Sequence, residues 1–303
     1  MKAKTTITIG IPAYNEEDNI NLLVSDLLSQ VQEEFQIKKI IIASDGSTDN
    51  TVNLLKKFRH DKVKVIDGKK QKGVAYRQNQ IMSQTQEEIL ILLNADIRIK
   101  DKMFVSKLVG PIKKHKYDLV SGKSLETDPI NFLEKIIYVS MLFKNLTFET
   151  YKNGNNFFTC HGTVRAFSKK FYKQLKFKQS FGEDLYSYLY CIKHRFKYHY
   201  SSQANIYYKL PDKFLDHLRQ STRFYYSLNR MKDEFGSCFV DYHTNWPARE
   251  SFAAGIKIFI KFPHLFLLYI PLALMTAVAS KLKNYPQTQI WSTTISSKKI
   301  SMS

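Results

Sequence analysis

Residues 89–96 read Ile-Leu-Ile-Leu-Leu-Asn-Ala-Asp, five apolar residues running straight into an amide and a carboxylate. An uninterrupted apolar run of that length fits a strand covered on both faces, as in a parallel sheet flanked by helices. The chain before it follows the same logic. Residues 6–11 are a β-rich run broken by Pro12, after which Ile20, Leu23, Val24, Leu27, Leu28 and Val31 recur at helical spacing. Residues 39–43 and 63–66 read as further strands. Val52, Leu55 and Phe58 mark a second helix, and residues 74–84 a third. Strands alternating with helices at this pitch predict βαβ units, and so a mostly parallel, Rossmann-like α/β sheet.

Ligands of such sheets bind beyond the carboxyl ends of the strands. Polar residues stand at those ends here: Pro12-Ala13-Tyr14-Asn15-Glu16, Ser44-Asp45-Gly46-Ser47-Thr48-Asp49 and Asn94-Ala95-Asp96. Each has a structural alternative. Asn15 would cap the next helix, with Glu16 and Glu17 favouring its dipole, and Ser47 and Asp49 would serve the following one. Three clusters on one sheet edge point instead to a ligand. Asp96, at the end of a buried strand, is accounted for by a Mg²⁺ or Mn²⁺ ion bridging it to a diphosphate, where the ion would neutralise charge on a departing nucleotide.

The second half is less regular. Residues 118–121 predict a strand and 130–146 a helix, followed by the loop Asn153-Gly154-Asn155-Asn156. A helix from Gly182 carries Leu185, Tyr188, Leu189 and Ile192 on one face. Another follows Pro211 and ends near Met231. Residues 264–280, HLFLLYIPLALMTAVAS, hold no acid, Lys or Arg. That is short of the roughly 20 residues a spanning helix needs, and Pro271 sits inside it. A tilted span, a re-entrant hairpin and helices lying in the interface all fit, with a buried soluble helix as the alternative.

Taken in order, PAYNE, SDGSTDNT, KGVAYRQNQ and LLNAD resemble the donor half of the family 2 glycosyltransferases, which have the glycosyltransferase A fold. FGEDLYSYL resembles the acid pair of that family, and LPDKFLDHLRQSTRF its Q-x-x-R-W stretch. The resemblance covers about residues 6–230. It implies that Pro12, Tyr14, Glu16 and Asp45 hold the nucleoside, with Asp45 facing the base, and that Lys72 and Gly73 pass near the nucleotide. Asp96 would bind the metal, while Asn94 stands where the family has the first carboxylate of D-x-D. Asp184 would be the general base, supported by Glu183; the alternative for both is first-turn charge on a helix. Gln220 and Arg223, three apart on a helix, would meet the leaving diphosphate. Phe224 replaces the usual Trp, and His161 falls near the acceptor pocket. Arg219, Tyr225 and Leu228 equally suit an ordinary amphipathic helix.

The organisation that follows is a nucleotide-sugar-binding half over 1–116 and an acceptor-binding, catalytic half over 117–235 of one domain. A membrane-associating apolar segment over 236–283 and a polar tail over 284–303 complete it. The expected function is inverting transfer from a nucleotide-sugar, a UDP-sugar by preference, to a lipid-linked or glycan acceptor at the cytoplasmic face of the membrane. Two other classes compete. Nucleotidyl transfer lacks its Gly-rich N-terminal loop here, since PAYNE occupies that place. A basic binding protein would suit the net charge of +19, which draws a chain to phosphates; the acids at the sheet edge argue against nucleic acid as its partner. Cys160, Cys191 and Cys238 are too scattered for a disulfide frame or a zinc site, and the start MKAKTTITIG lacks a secretory apolar region. Both fit a reducing compartment.

Overall fold

The computed structural model describes residues 3–178, 182–282 and 300. Seven strands form one sheet: β1 (Thr5–Ala13), β2 (Phe35–Asp45), β3 (Val63–Gly68), β4 (Ile89–Leu93), β5 (Leu119–Glu126), β6 (Val164–Ser168) and β7 (Tyr198–Tyr208). Their spatial order is β3-β2-β1-β4-β6-β5-β7. β6 runs antiparallel to β4 and β5, and every other pairing is parallel. The helices are α1 (Ile20–Leu28), α2 (Thr51–Lys57), α3 (Val74–Gln84), α4 (Phe104–His115), α5 (Phe132–Thr150), α6 (Lys169–Tyr172), α7 (Glu183–Lys193), α8 (Phe214–Phe235), α9 (Ser237–Thr244), α10 (Ala248–Lys261) and α11 (Pro263–Leu282).

Both faces of the sheet are covered, and β4 shows why its sequence is apolar throughout. Ile89, Ile91 and Leu93 pack with α1 and α4 through Leu23, Leu27, Phe104 and Leu108. Leu90 and Leu92 point the other way, into a second core with Ile81 of α3 and Leu185 and Leu189 of α7. β2 divides in the same manner, Ile40 and Ile42 to one side and Ile41 and Ala43 to the other. A smaller cluster joins Ile136 and Ile137 of α5 to Leu272 of α11.

The structure departs from the sequence reading at several points. β1 runs through Pro12 to Ala13 rather than stopping before it. Its ladder with β4 ends at Gly10 opposite Leu92, so Pro12 lies where one flank of the strand has no neighbour and a missing N–H is tolerated. α4 forms around Pro111, with Lys113, Lys114 and His115 in its last turn favouring the dipole. β6 and β7 form where the sequence pattern shows no strand signal, and α8 continues four residues past Met231 to Phe235.

The C-terminal segment is corrected as well. Residues 263–282 form one continuous helix through Pro271, so no hairpin forms within it. Among the described residues no helix is long and apolar enough to cross a membrane. Nor is the segment buried: Phe252 and Ile260 of α10 are 74% and 75% exposed, and Leu274 of α11 is 62% exposed. Apart from Ile300, the predicted tail lies outside the described residues.

Candidate active site

The loops after β1 and β2 are stitched into one unit. The Asn15 backbone N–H donates to Ser47 Oγ at 3.1 Å, and the Thr48 N–H donates to Asn15 Oδ1 at 2.8 Å. The Glu17 N–H reaches Asp49 Oδ2 at 3.1 Å, and the Asn50 N–H returns to Glu17 Oε2 at 2.9 Å. Asn15 therefore does not cap α1; it takes a left-handed conformation, φ 54°, to face the neighbouring loop. Glu16 is buried, its N–H donating to Thr51 Oγ1 at 2.7 Å and its carboxylate accepting from Asn19 Nδ2 at 3.2 Å. Pro12 is buried and Tyr14 half-buried in the same unit.

Asp45 ends β2 and is fully buried. Its Oδ1 accepts from the Lys72 N–H at 2.8 Å and from Arg77 Nε at 2.8 Å, and its Oδ2 accepts from the Gly73 N–H at 2.9 Å. Gly73 adopts φ 87°, a conformation that glycine takes freely, and this turns its N–H toward Asp45 at the start of α3. Arg77 also donates to Lys70 O at 2.8 Å and Gln80 Oε1 at 3.0 Å. Asp45 thus holds the 70–73 loop over the sheet edge. The Lys72 ammonium lies 4.5 Å from the Tyr76 ring centroid.

Asn94 and Asp96 follow β4, both half-buried. The Asn94 N–H donates to Thr163 O at 3.0 Å. Beyond Asp96, Arg98 forms a two-point ion pair with Asp26 of α1 at 2.8 and 3.1 Å. It also exchanges backbone hydrogen bonds of 2.9 Å with Tyr207. The segment carrying Asp96 is therefore clamped on both sides. Among the described residues no three His, Cys, Asp or Glu side chains gather as a metal cluster. One carboxylate beside an amide fits instead a Mg²⁺ or Mn²⁺ ion whose remaining ligands are phosphate and water oxygens.

A cavity of about 330 Å³ opens next to this edge, lined by Asn94, His161, Glu183, Asp184, Gln220 and Arg223 among others. Three elements bring these together. α7 begins at Gly182 (φ +88°), where a Cβ would come within 2.9 Å of Ser227 Cβ on α8, so the two helices meet closely there. Glu183 and Asp184 occupy the first turn of α7, where the helix dipole favours them. Asp184 Oδ1 accepts from the Leu185 N–H at 2.9 Å. Its Oδ2 lies beside Gly162, where a Cβ would meet it in ordinary van der Waals contact at 3.4 Å. α8 turns Gln220, Arg223, Phe224 and Ser227 to the cavity, while Arg219 pairs with Asp216 at 3.2 Å and Tyr225 stays exposed.

Burial pushes the Glu183 carboxyl up to about 7; Asp184 adds to the rise, and Arg165 and Arg223 oppose it. Burial lowers the His161 pKa against the opposing pull of Asp184 and Glu149, which leaves a neutral imidazole on the cavity wall. The residues thus fall into two groups. Asn94, Asp184, Gln220 and Arg223 share the cavity. Pro12, Tyr14, Glu16, Asp45 and Lys72 form the neighbouring sheet edge, and Asp96, two residues beyond Asn94, is not among the residues lining the cavity. Sequence reasoning missed Arg77 and Arg165, both buried, because arginine carries no local signal of burial.

The model of glycosyl transferase family 2 matches residues 8–176, more than half of the chain. The chain belongs to glycosyl transferase family 2. Over 92 residues this family 2 member is 34% identical to the uncharacterized glycosyltransferase YfnE of Bacillus subtilis, covering 30% of the chain and 23% of that protein. Over 132 residues it is 30% identical to the poly-beta-1,6-N-acetyl-D-glucosamine synthase of Staphylococcus epidermidis, covering 43% of the chain and 31% of the relative. The matches thus span under a third of the length of these relatives. Two solved structures share the fold. The mannosyltransferase PcManGT from Pyrobaculum calidifontis, in complex with GDP-Man and Mn²⁺, superposes with a TM-score of 0.65 at 14% identity, covering 93% of this chain and 88% of that one. S. aureus TarS 1–349 in complex with UDP superposes at 0.56 and 16% identity, covering 91% and 88%.

Proposed function

We propose that this family 2 member is an inverting glycosyltransferase that moves a sugar from a nucleotide-sugar, a UDP-sugar by preference, to a hydroxyl of a lipid-linked or surface-glycan acceptor. The carrying observation is the shared cavity. The carboxylates Glu183 and Asp184, the guanidinium of Arg223, the amide of Gln220 and Asn94 from the end of β4 all line it, which supports this reading. The relatives named for poly-N-acetylglucosamine synthesis, and the fold neighbours crystallised with GDP-Man or UDP, support the donor class.

The nucleoside end rests on the stitched edge of Tyr14, Glu16 and the Asp45-held loop at Lys72. Asp184 accepts the proton of the acceptor hydroxyl as its oxygen bonds to the anomeric carbon. The bond to the nucleotide diphosphate breaks on the opposite face, inverting the configuration, and the diphosphate leaves with the electron pair. Arg223 and Gln220 donate to it as its charge grows. A Mg²⁺ or Mn²⁺ ion at Asp96 would neutralise part of that charge when bound.

The exposed apolar residues of the C-terminal helices suit the plane of a bilayer surface, which supports a lipid-linked or surface-glycan acceptor, and the cytoplasmic face is proposed with it. The test is UDP release from a panel of UDP-sugars with bacterial membranes and Mn²⁺. Release is expected to fall at least a hundredfold in Asp184→Ala. Unchanged release in both Asp184→Ala and Asp96→Ala sinks the reading.

A further inference from the structure

Arg165 of β6 is 1% exposed, yet among the described residues no carboxylate lies within ion-pair distance of it. Its Nη1 donates to the Glu183 carbonyl at 2.8 Å and to Ser187 Oγ at 2.6 Å, and its Nη2 reaches Gln78 Oε1 at 3.4 Å. Among the described residues its Nε has no partner. The guanidinium also lies 5.7 Å from the ring centroids of both Phe167 and Phe177.

This is a costly arrangement for a mere brace. Desolvating a cation costs several kcal/mol even after relaxation, and neutral oxygens repay it poorly. The positive end of α7 makes the position worse still. The first turn of α7 supplies what would balance it, since Glu183 and Asp184 project from that turn into the cavity that Arg165 also lines. A neutral glutamine or methionine of similar length would fill the same space without the charge.

We propose that Arg165 is a positioning residue for the general base: its contacts fix the first turn of α7, and its buried charge offsets that of the two carboxylates the turn carries. The proposal rests on the assignment of Asp184 as base. The charged and titratable groups facing the carboxylate pair are Arg165 from β6, Arg223 from α8, and Cys160 and His161 from the loop before β6. Arg165 and Arg223 both pull the Glu183 carboxyl down against its burial. Losing one of them lets it rise.

Two full-length variants separate this role from bracing. Arg165→Gln keeps a donor without the charge, and Arg165→Met replaces it if it does not fold. Arg165→Lys keeps the charge on a different arm. The Glu183 carboxyl is titrated by carbon NMR in each, with no ligand required, and UDP release from UDP-N-acetylglucosamine with bacterial membranes is measured alongside. The Glu183 midpoint is expected to rise by about one pH unit in the neutral variant and to stay near the parent value in Arg165→Lys. UDP release should fall at least tenfold in the neutral variant. An unmoved midpoint in the neutral variant overturns the role of Arg165. Undiminished UDP release in Asp184→Asn overturns the base assignment itself, so the two failures are distinguishable.

Discussion

Arg77 Nε donates to Asp45 Oδ1 at 2.8 Å, and both side chains are almost wholly buried, 4% and 0% exposed. Asp45 meets two backbone N–H groups of the 70–73 loop as well, so the pair joins β2, that loop and α3 in a single knot. Removing one partner of a buried pair leaves a charge uncompensated. Arg77→Met is expected to destabilise the fold by about 3 kcal/mol, towards the low end for such pairs because Asp45 keeps its backbone donors. It should also weaken UDP binding about tenfold, since the loop loses its anchor. Urea denaturation and calorimetric UDP titration check the two effects. A loss of stability with UDP affinity intact would detach the knot from nucleotide binding.

Asn94 and Asp96 test the metal. The backbone N–H of Asn94 is held by Thr163 O, so a change of side chain leaves the strand end in place. Asn94→Asp adds a second carboxylate to a site that otherwise offers one, and Mg²⁺ or Mn²⁺ sites use one or two. The Mn²⁺ concentration giving half-maximal UDP binding is expected to drop about tenfold. Asp96→Ala should abolish the dependence of UDP binding on Mn²⁺. Titration of MnCl₂ at fixed UDP measures both, and identical curves for the parent and Asp96→Ala would remove Asp96 from the metal site.

The first half of the fold was legible because its signals are local. The apolar run at 89–93 needs covering on both faces, and α1 and α3 supply stripes at the right spacing for it. β6 was hidden by Arg165, a charged residue within a five-residue strand. β7 was hidden by Ser201, Ser202 and Gln203, which interrupt its aromatic alternation where its pairing with β5 shifts register. At the site, Asp184, Gln220 and Arg223 were suggested by the resemblance of FGEDLYSYL and LPDKFLDHLRQSTRF to family 2 stretches, and the structure brings the three to one cavity. The supporting arginines are visible only in three dimensions, because burial of Arg77 and Arg165 is decided by strands and helices distant in sequence.

Glu183 predicts a pH dependence of stability. Its folded pKa of about 7 lies above the ordinary value of 4.5, chiefly through burial. Between these values the folded chain keeps a proton that the unfolded chain has released. The contribution of Glu183 to stability therefore falls as pH rises from about 4.5 to 7, and is constant above. Glu183→Gln removes the penalty. Its Tm should exceed that of the parent by roughly 2–4 °C at pH 8.5 and match it at pH 4. Thermal unfolding at the two values checks this; an equal offset at both would mean that packing, not ionisation, sets the effect.

The proposed membrane attachment of the C-terminal helices can be tested for separate apolar and charged contributions. On α10, Phe252, Ile256, Phe259 and Ile260 are exposed at positions i, i+4, i+7 and i+8, while Ala254 and Ile258 turn inward. Leu267, Ile270, Leu274, Met275 and Val278 continue an exposed apolar stripe on α11. Lys257 and Lys261 stand beside the α10 stripe, both exposed. Burying a Phe or Ile side chain is worth about 1.5–3 kcal/mol, whereas a lysine near an anionic surface contributes about 1 kcal/mol. Apolar insertion should therefore dominate, with charge adding selectivity. The double substitution Phe252→Glu and Ile260→Glu is expected to weaken co-sedimentation with vesicles of phosphatidylcholine and phosphatidylglycerol by about a hundredfold or more. Lys257→Gln with Lys261→Gln should cost about tenfold or more at low salt, and less at 0.5 M, where surface charge is screened. Binding that survives the glutamate pair but disappears with salt would assign attachment to charge alone, and would leave the apolar stripes to some other partner.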